Sequence, residues 1–114
     1  MTPQQFIDKW KRVELKERSS SQSHFNDLCL VLDVLNPIEA DPTGEEYCFE
    51  KSLTKQKGGQ GFADVWKKGH FGWEYKGKRK DLKEAFTQLS QYREALLTPV
   101  LLIVCDMNRF ELLI

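Results

Sequence analysis

Residues 100–106 read "VLLIVCD", six apolar residues in a row before a single acid. Side chains alternate faces along a strand, so an unbroken apolar run belongs to a strand covered on both sides, as in a sheet flanked by helices. The rest of the chain supplies candidates for those layers. "TPQQFIDKWKRVELKER" opens with Thr2 as N-cap, Pro3 at the first helical position and Gln5 three residues after the cap, and it carries Phe6, Trp10 and Val13 at helical spacing. The serine-rich "SSSQS" is expected to break that run. A second helix then follows in "HFNDLCLVLDVL", with Phe25, Leu28, Cys29, Leu32 and Leu35 as its apolar stripe and Asn36-Pro37 as its stop.

"NPIEADPTGEE" reads as a loop leading into a strand at "YCFEKSL". After the glycine-bearing loop "KQKGGQG", Phe62–Trp66 and Phe71–Lys76 form a predicted hairpin. That loop lacks both the lysine-serine ending and the following helix of a nucleotide-binding loop. "DLKEAFTQLSQYREALL" places Leu82, Phe86, Leu89 and Leu96 at helical intervals and ends at Thr98-Pro99. The final "RFELLI" reads as one more strand, cut off at the last residue, so the chain is expected to be a piece of something longer. The predicted order is helix, helix, three strands, helix, strand: an α/β domain with a mixed central sheet flanked by helices.

With 114 residues, 40% of them hydrophobic, the chain suits one domain. No N-terminal apolar run is long enough for a signal peptide or a membrane span, so a soluble, intracellular protein is expected. Cys29, Cys48 and Cys105 sit among apolar neighbours and read as buried reduced thiols. Formal charge is zero, but Lys51–Lys83 holds ten Lys or Arg against three Asp or Glu. That segment could face a polyanion, and "KGKRKDLK", with Lys78, Arg79 and Lys80, offers contacts to phosphates.

The chemistry concentrates in "DVWKKGHFGWEYKGK". A turn centred on Gly69 sets Asp64 opposite Glu74, with Cβ atoms roughly 5 Å apart, and Glu74 and Lys76 share a strand face. Two carboxylates that close repel unless a cation sits between them. A hard divalent ion such as Mg²⁺, bound at about 2.1 Å by carboxylate oxygens and waters, fits that position. Lys76 then serves the attacking water or the charge growing on a phosphate. The other reading is a salt-bridged, solvated strand face. Similar tripeptides occur at Glu14-Leu15-Lys16 and Asp81-Leu82-Lys83, both in predicted helices, so the tripeptide alone decides nothing.

Asp64, Glu74 and Lys76, within this order of elements, resemble the PD-(D/E)xK nuclease superfamily, whose core is helix, three strands, helix, strand. More narrowly, "ELKERSSSQSHFNDLC", "DPTGEEYCFEK", "FADVWKKGHFGWEYKGKRKDL" and "LLIVCDMNRFEL" are similar to the N-terminal region of the MmeI-like restriction-modification enzymes. The resemblance implies a Mg²⁺-dependent endonuclease module, with Mn²⁺ as a substitute, that hydrolyses double-stranded DNA. It puts the metal on Asp64 and Glu74 and the catalytic lysine at Lys76. It adds Gln88, one helical turn before Tyr92, as a further catalytic residue. An acid from the first helix, here Glu17, is a further candidate. Ala63 stands where the superfamily's name has proline.

The same resemblance implies partners in the remainder of a longer polypeptide (a helical spacer, a methyltransferase and a target-recognition domain) and dimerisation for cleavage in a bacterial cytoplasm. S-adenosylmethionine would belong only to the region downstream, since the chain holds neither an Asn-Pro-Pro-Tyr nor a glycine-rich cofactor loop after a strand. Two rival readings remain at this point, a non-cleaving DNA-binding module of the same fold and a protein-interaction domain with no nucleic-acid role.

Overall fold

The computed structural model describes residues 1–14, 17–54, 59–77, 81–92, 96 and 101–113. Its centre is a five-stranded mixed sheet in the order β1-β2-β3-β4-β5, formed by Tyr47–Thr54, Gln60–Lys67, Phe71–Tyr75, Leu101–Cys105 and Phe110–Leu113. The first three strands are an antiparallel meander, β4 runs parallel to β3, and β5 returns antiparallel to β4. The apolar run of β4 is buried on both faces, as its composition requires.

Helix α2 (Glu17–Leu32) covers one face, where Phe25 and Cys29 pack with Tyr47, Val65, Trp73, Tyr75, Ile103 and Cys105. Helix α4 (Leu82–Ser90) covers the other. There Leu82, Ala85 and Leu89 pack with Leu53, Ala63, Trp66, Leu102 and Val104. Helix α1 (Pro3–Lys11) starts in the predicted capping box, in which Thr2 and Gln5 bond each other's backbone N–H, and it buries Phe6 and Trp10. Asp27 ties α1 to α2 by accepting from Lys9 Nζ at 2.7 Å and from Trp10 Nε1 at 3.0 Å.

Several expectations are corrected. The break between the first two helices falls before Glu17, and the serines lie inside α2. Serine costs a helix only tenths of a kcal/mol per residue relative to alanine, and tertiary burial overrides that. Ser20, His24, Phe25 and Cys29 form the stripe that settles the matter, all of them buried. Leu32 and Leu35, predicted for that stripe, are instead 61% and 59% exposed. The chain leaves α2 through Asp33 at φ 55°, and what reads as pure loop contains a short helix α3 (Pro37–Ala40) capped by Asn36. Helix α4 ends at Ser90 with Gln91 as its cap, so Tyr92 lies beyond the helix rather than one turn along it. Residues 93–95 and 97–100 lie outside the described ones. All three cysteines are free, Cys29 and Cys105 buried and Cys48 half-buried.

Candidate active site

The β2–β3 hairpin has the predicted register. Val65 pairs with Trp73, Trp66 with Gly72 and Lys67 with Phe71, around a turn in which Gly69 takes φ 74°. Extending this register by one step sets Asp64 opposite Glu74, but the ladder stops at Val65 and Trp73. Beyond it the Asp64 carboxylate receives the Tyr75 backbone N–H at 2.7 Å. A side chain thereby takes the role of a strand's hydrogen-bond acceptor, satisfying a donor left over where two strands part.

On the other side of β2, strand β1 is interrupted at the same level. Phe49 pairs with Val65 and Lys51 with Ala63, leaving Glu50 and Asp64 as the facing residues between them. Residues two apart on a regular strand share a face. Here they do not: Tyr47 and Phe49 face the α2 core, whereas Leu53 faces the α4 core. On β2, Val65 faces α2 and Ala63 faces α4. Both strands therefore change parity at one level, and Glu50 accomplishes its part with a left-handed backbone, φ 52°. The residues at this double break leave both cores.

They open into a polar cleft of about 230 Å³ lined by Ser21, Glu50, Phe62, Asp64, Glu74, Tyr75 and Lys76. The three residues predicted from the sequence motif thus share one cavity. β3 is fixed there by β4: Glu74 pairs with Val104, and the Lys76 N–H donates to the Cys105 carbonyl at 2.8 Å. Burial pushes the Tyr75 phenol well up from its ordinary value, so it stays a neutral hydroxyl. A larger groove of about 440 Å³ runs along the end of α2, but its lining is apolar apart from Lys67 and contains no acid.

The other predicted residues are placed differently. Gln88 is exposed on α4 and does not line the cleft. Tyr92 is buried in the α4 core, and a Cβ added at Gly61 would overlap its hydroxyl. Burial raises the Tyr92 pKa, and the charge of Glu74 adds to the effect. Glu17 opens α2, one turn of helix before Ser21. Lys78, Arg79 and Lys80 lie outside the described residues, in the connection from β3 to α4. Of the two look-alike tripeptides, Asp81 caps α4 by accepting the Lys83 N–H at 2.9 Å, and Glu14 lies between α1 and α2.

Sequence reasoning missed Ser21 and Glu50. A serine in a polar run carries no signal, while Glu50 could have been found by extending the hairpin register one strand further, to the acid opposite Asp64.

Among the described residues, no three or more His, Cys, Asp or Glu side chains gather as a metal-binding group. The donor set at the motif is two carboxylates with an ammonium beside them. That set fits a hard divalent cation such as Mg²⁺, which takes few protein ligands and keeps several waters.

A family model described as "MmeI, N-terminal domain" matches residues 1–113. The chain belongs to the MmeI N-terminal domain family. No curated protein and no solved structure matches it. Membership gives the domain a restriction-modification setting, and the matched span takes in the whole cleft. No helix among the described residues is long and apolar enough to cross a membrane.

Proposed function

We propose that this MmeI-type N-terminal domain is a PD-(D/E)xK endonuclease module that hydrolyses DNA phosphodiester bonds with the help of Mg²⁺ or Mn²⁺. The observation that carries this reading is the meeting of Asp64, Glu74 and Lys76 in one polar cleft where β2 and β3 part. Asp64 and Glu74 would hold the cation, which when bound supplies Lewis acidity toward the phosphate and a more acidic water. The chain's own groups do the rest. The Tyr75 N–H fixes the Asp64 carboxylate, and the Lys76 ammonium orients the water or offsets the charge that grows on the phosphate oxygens.

Base reading belongs to other parts of the polypeptide in this account, since backbone contacts position a duplex without specifying its sequence. Methylation, with its S-adenosylmethionine, belongs there too. One cleft serves one strand, so two copies of the domain act on a duplex.

The test uses the native polypeptide with Asp64→Ala, Glu74→Ala and Lys76→Ala. Each is expected to lower Mg²⁺-dependent cleavage by two or more orders of magnitude, on the order expected for removing a preorganised charged group. Methylation is expected to remain at the wild-type rate. Cleavage by all three variants at the wild-type rate would remove this cleft from the reaction.

A further inference from the structure

Tyr75 stands between Glu74 and Lys76 in sequence and faces away from them, into the α2 core. Its hydroxyl lies 2.8 Å from Nδ1 of His24, a residue 51 positions away on α2. His24 is completely buried. Phe6 and Trp10 of α1 meet its ring edge-on, with centroids at 4.9 and 5.0 Å, and Tyr75 and Phe110 complete the enclosure. At the backbone end of the same tyrosine, the N–H holds the Asp64 carboxylate. One residue therefore connects a buried imidazole to a carboxylate of the cleft.

The ladder explains why such a connection matters. Among the described residues, β3 no longer pairs with β2 past Trp73, so the segment carrying Glu74 and Lys76 has its strand pairing to β4. A strand held along one edge retains a twisting freedom about that edge, and the pleat converts any twist into opposite swings of residues on its two faces. Anchoring the far end of the Tyr75 side chain removes that freedom. Because His24 follows Ser21 by three residues, the same anchor also sets where α2 borders the cleft.

We infer that His24 and Tyr75 are positioning residues of the cleft, their buried imidazole–hydroxyl hydrogen bond setting the orientation in which Asp64, Glu74 and Lys76 meet a divalent cation. The inference rests on the metal-dependent reading above. Partners that orient metal ligands from behind commonly change metal affinity 10–100-fold when removed.

Mn²⁺ binding by the 114-residue chain, measured calorimetrically alongside thermal melting, tests it in four proteins: wild type, Tyr75→Phe, His24→Leu and His24→Asn. Asparagine can present a hydrogen-bonding amide near the place of Nδ1, whereas leucine suits the apolar enclosure but offers no hydrogen bond. Tyr75→Phe and His24→Leu are expected to bind Mn²⁺ at least tenfold more weakly, and His24→Asn close to wild type. Melting temperatures are expected in the opposite order for the two His24 variants, leucine above asparagine. Affinities that follow the melting temperatures instead would assign a purely structural role and overturn the inference. Equal affinity in all four proteins overturns it as well, while leaving the metal site standing. A wild type that binds no Mn²⁺ overturns both.

Discussion

Acid should weaken this domain from about pH 6.5 downward, because of His24. Burial lowers its pKa from 6.5 to about 4, and the nearby Asp27 charge and the Met107 backbone only partly oppose that effect. The groups around the ring are the neutral Tyr75 hydroxyl from β3, the Asp27 carboxylate on its own helix, already engaged by Lys9 from α1, the Met107 backbone, and the aromatic rings of Phe6, Trp10 and Phe110.

Among the described residues Nε2 has no hydrogen-bond partner of normal geometry, so the charge of a protonated ring would be only partly offset, by Asp27 and the Met107 backbone. The folded pKa lies below the unfolded one. Between the two values the unfolded chain binds a proton that the folded chain refuses, and stability therefore falls as pH falls. It is at its full value above pH 6.5 and declines until about pH 4, where the folded state also protonates. Going from pH 6.5 to pH 5 crosses about 1.5 pH units at about 1.36 kcal/mol each, a loss of ~2 kcal/mol. For a domain of this size that is a fall in melting temperature of roughly 8 °C or more.

Urea unfolding at pH 7, 6 and 5 measures the loss directly, and His24→Leu provides the reference. Every ionisable group that the two proteins share cancels from the difference. Wild type should lose ~2 kcal/mol more than the variant between pH 7 and pH 5. Parallel pH profiles would show that His24 is already accommodated as a cation, and the account of its burial would be wrong.

Glu50→Gly should stabilise the fold, because a left-handed conformation costs a residue with a Cβ about 1 kcal/mol that glycine does not incur. Thermal melting should show a rise of a few degrees, with no such rise for Glu50→Ala; equal shifts for the two would mean that the β1 backbone relaxes without help. Replacing Lys78, Arg79 and Lys80 together by alanine should weaken binding to unrelated duplexes about equally. The slope of log affinity against log salt should fall by roughly 0.9 for each phosphate that is no longer neutralised. Fluorescence titrations at several salt concentrations measure this, and an unchanged slope would put the DNA elsewhere.

The elements of this fold were legible wherever one residue pattern dominated. The turn at Gly69 and the parity of Trp73 and Tyr75 led to the correct hairpin register, and Thr2, Pro3 and Gln5 to the correct start of α1. Sequence reading failed where tertiary packing outweighed local preference. Ser19–Ser23 look like a linker by composition, yet burial of Ser20 and His24 carries the helix through them. Leu32 and Leu35 continue an apolar stripe in the sequence, but Leu32 is the last residue of α2 and the chain turns at Asp33. In the cleft, the motif residues could be identified because they lie on one hairpin. Ser21 could not, since only the packing of α2 on the sheet brings it there, and neither could the bond from His24 to Tyr75, which spans 51 positions.

The double break at Glu50 and Asp64 also bears on how the chain finds its pairing. An ordinary antiparallel pair shifted by two residues keeps every side chain on its proper face, so such a slip is only weakly opposed. β1 and β2 lack that tolerance. Each changes face once, and the changes coincide only when Phe49 meets Val65 and Lys51 meets Ala63. A slip by two would set the irregular residue of one strand against a regular stretch of its partner. The side chains between the two breaks would then be sent to opposite layers. The interruption that exposes the acids is thus also a key cut into both strands, admitting a single alignment.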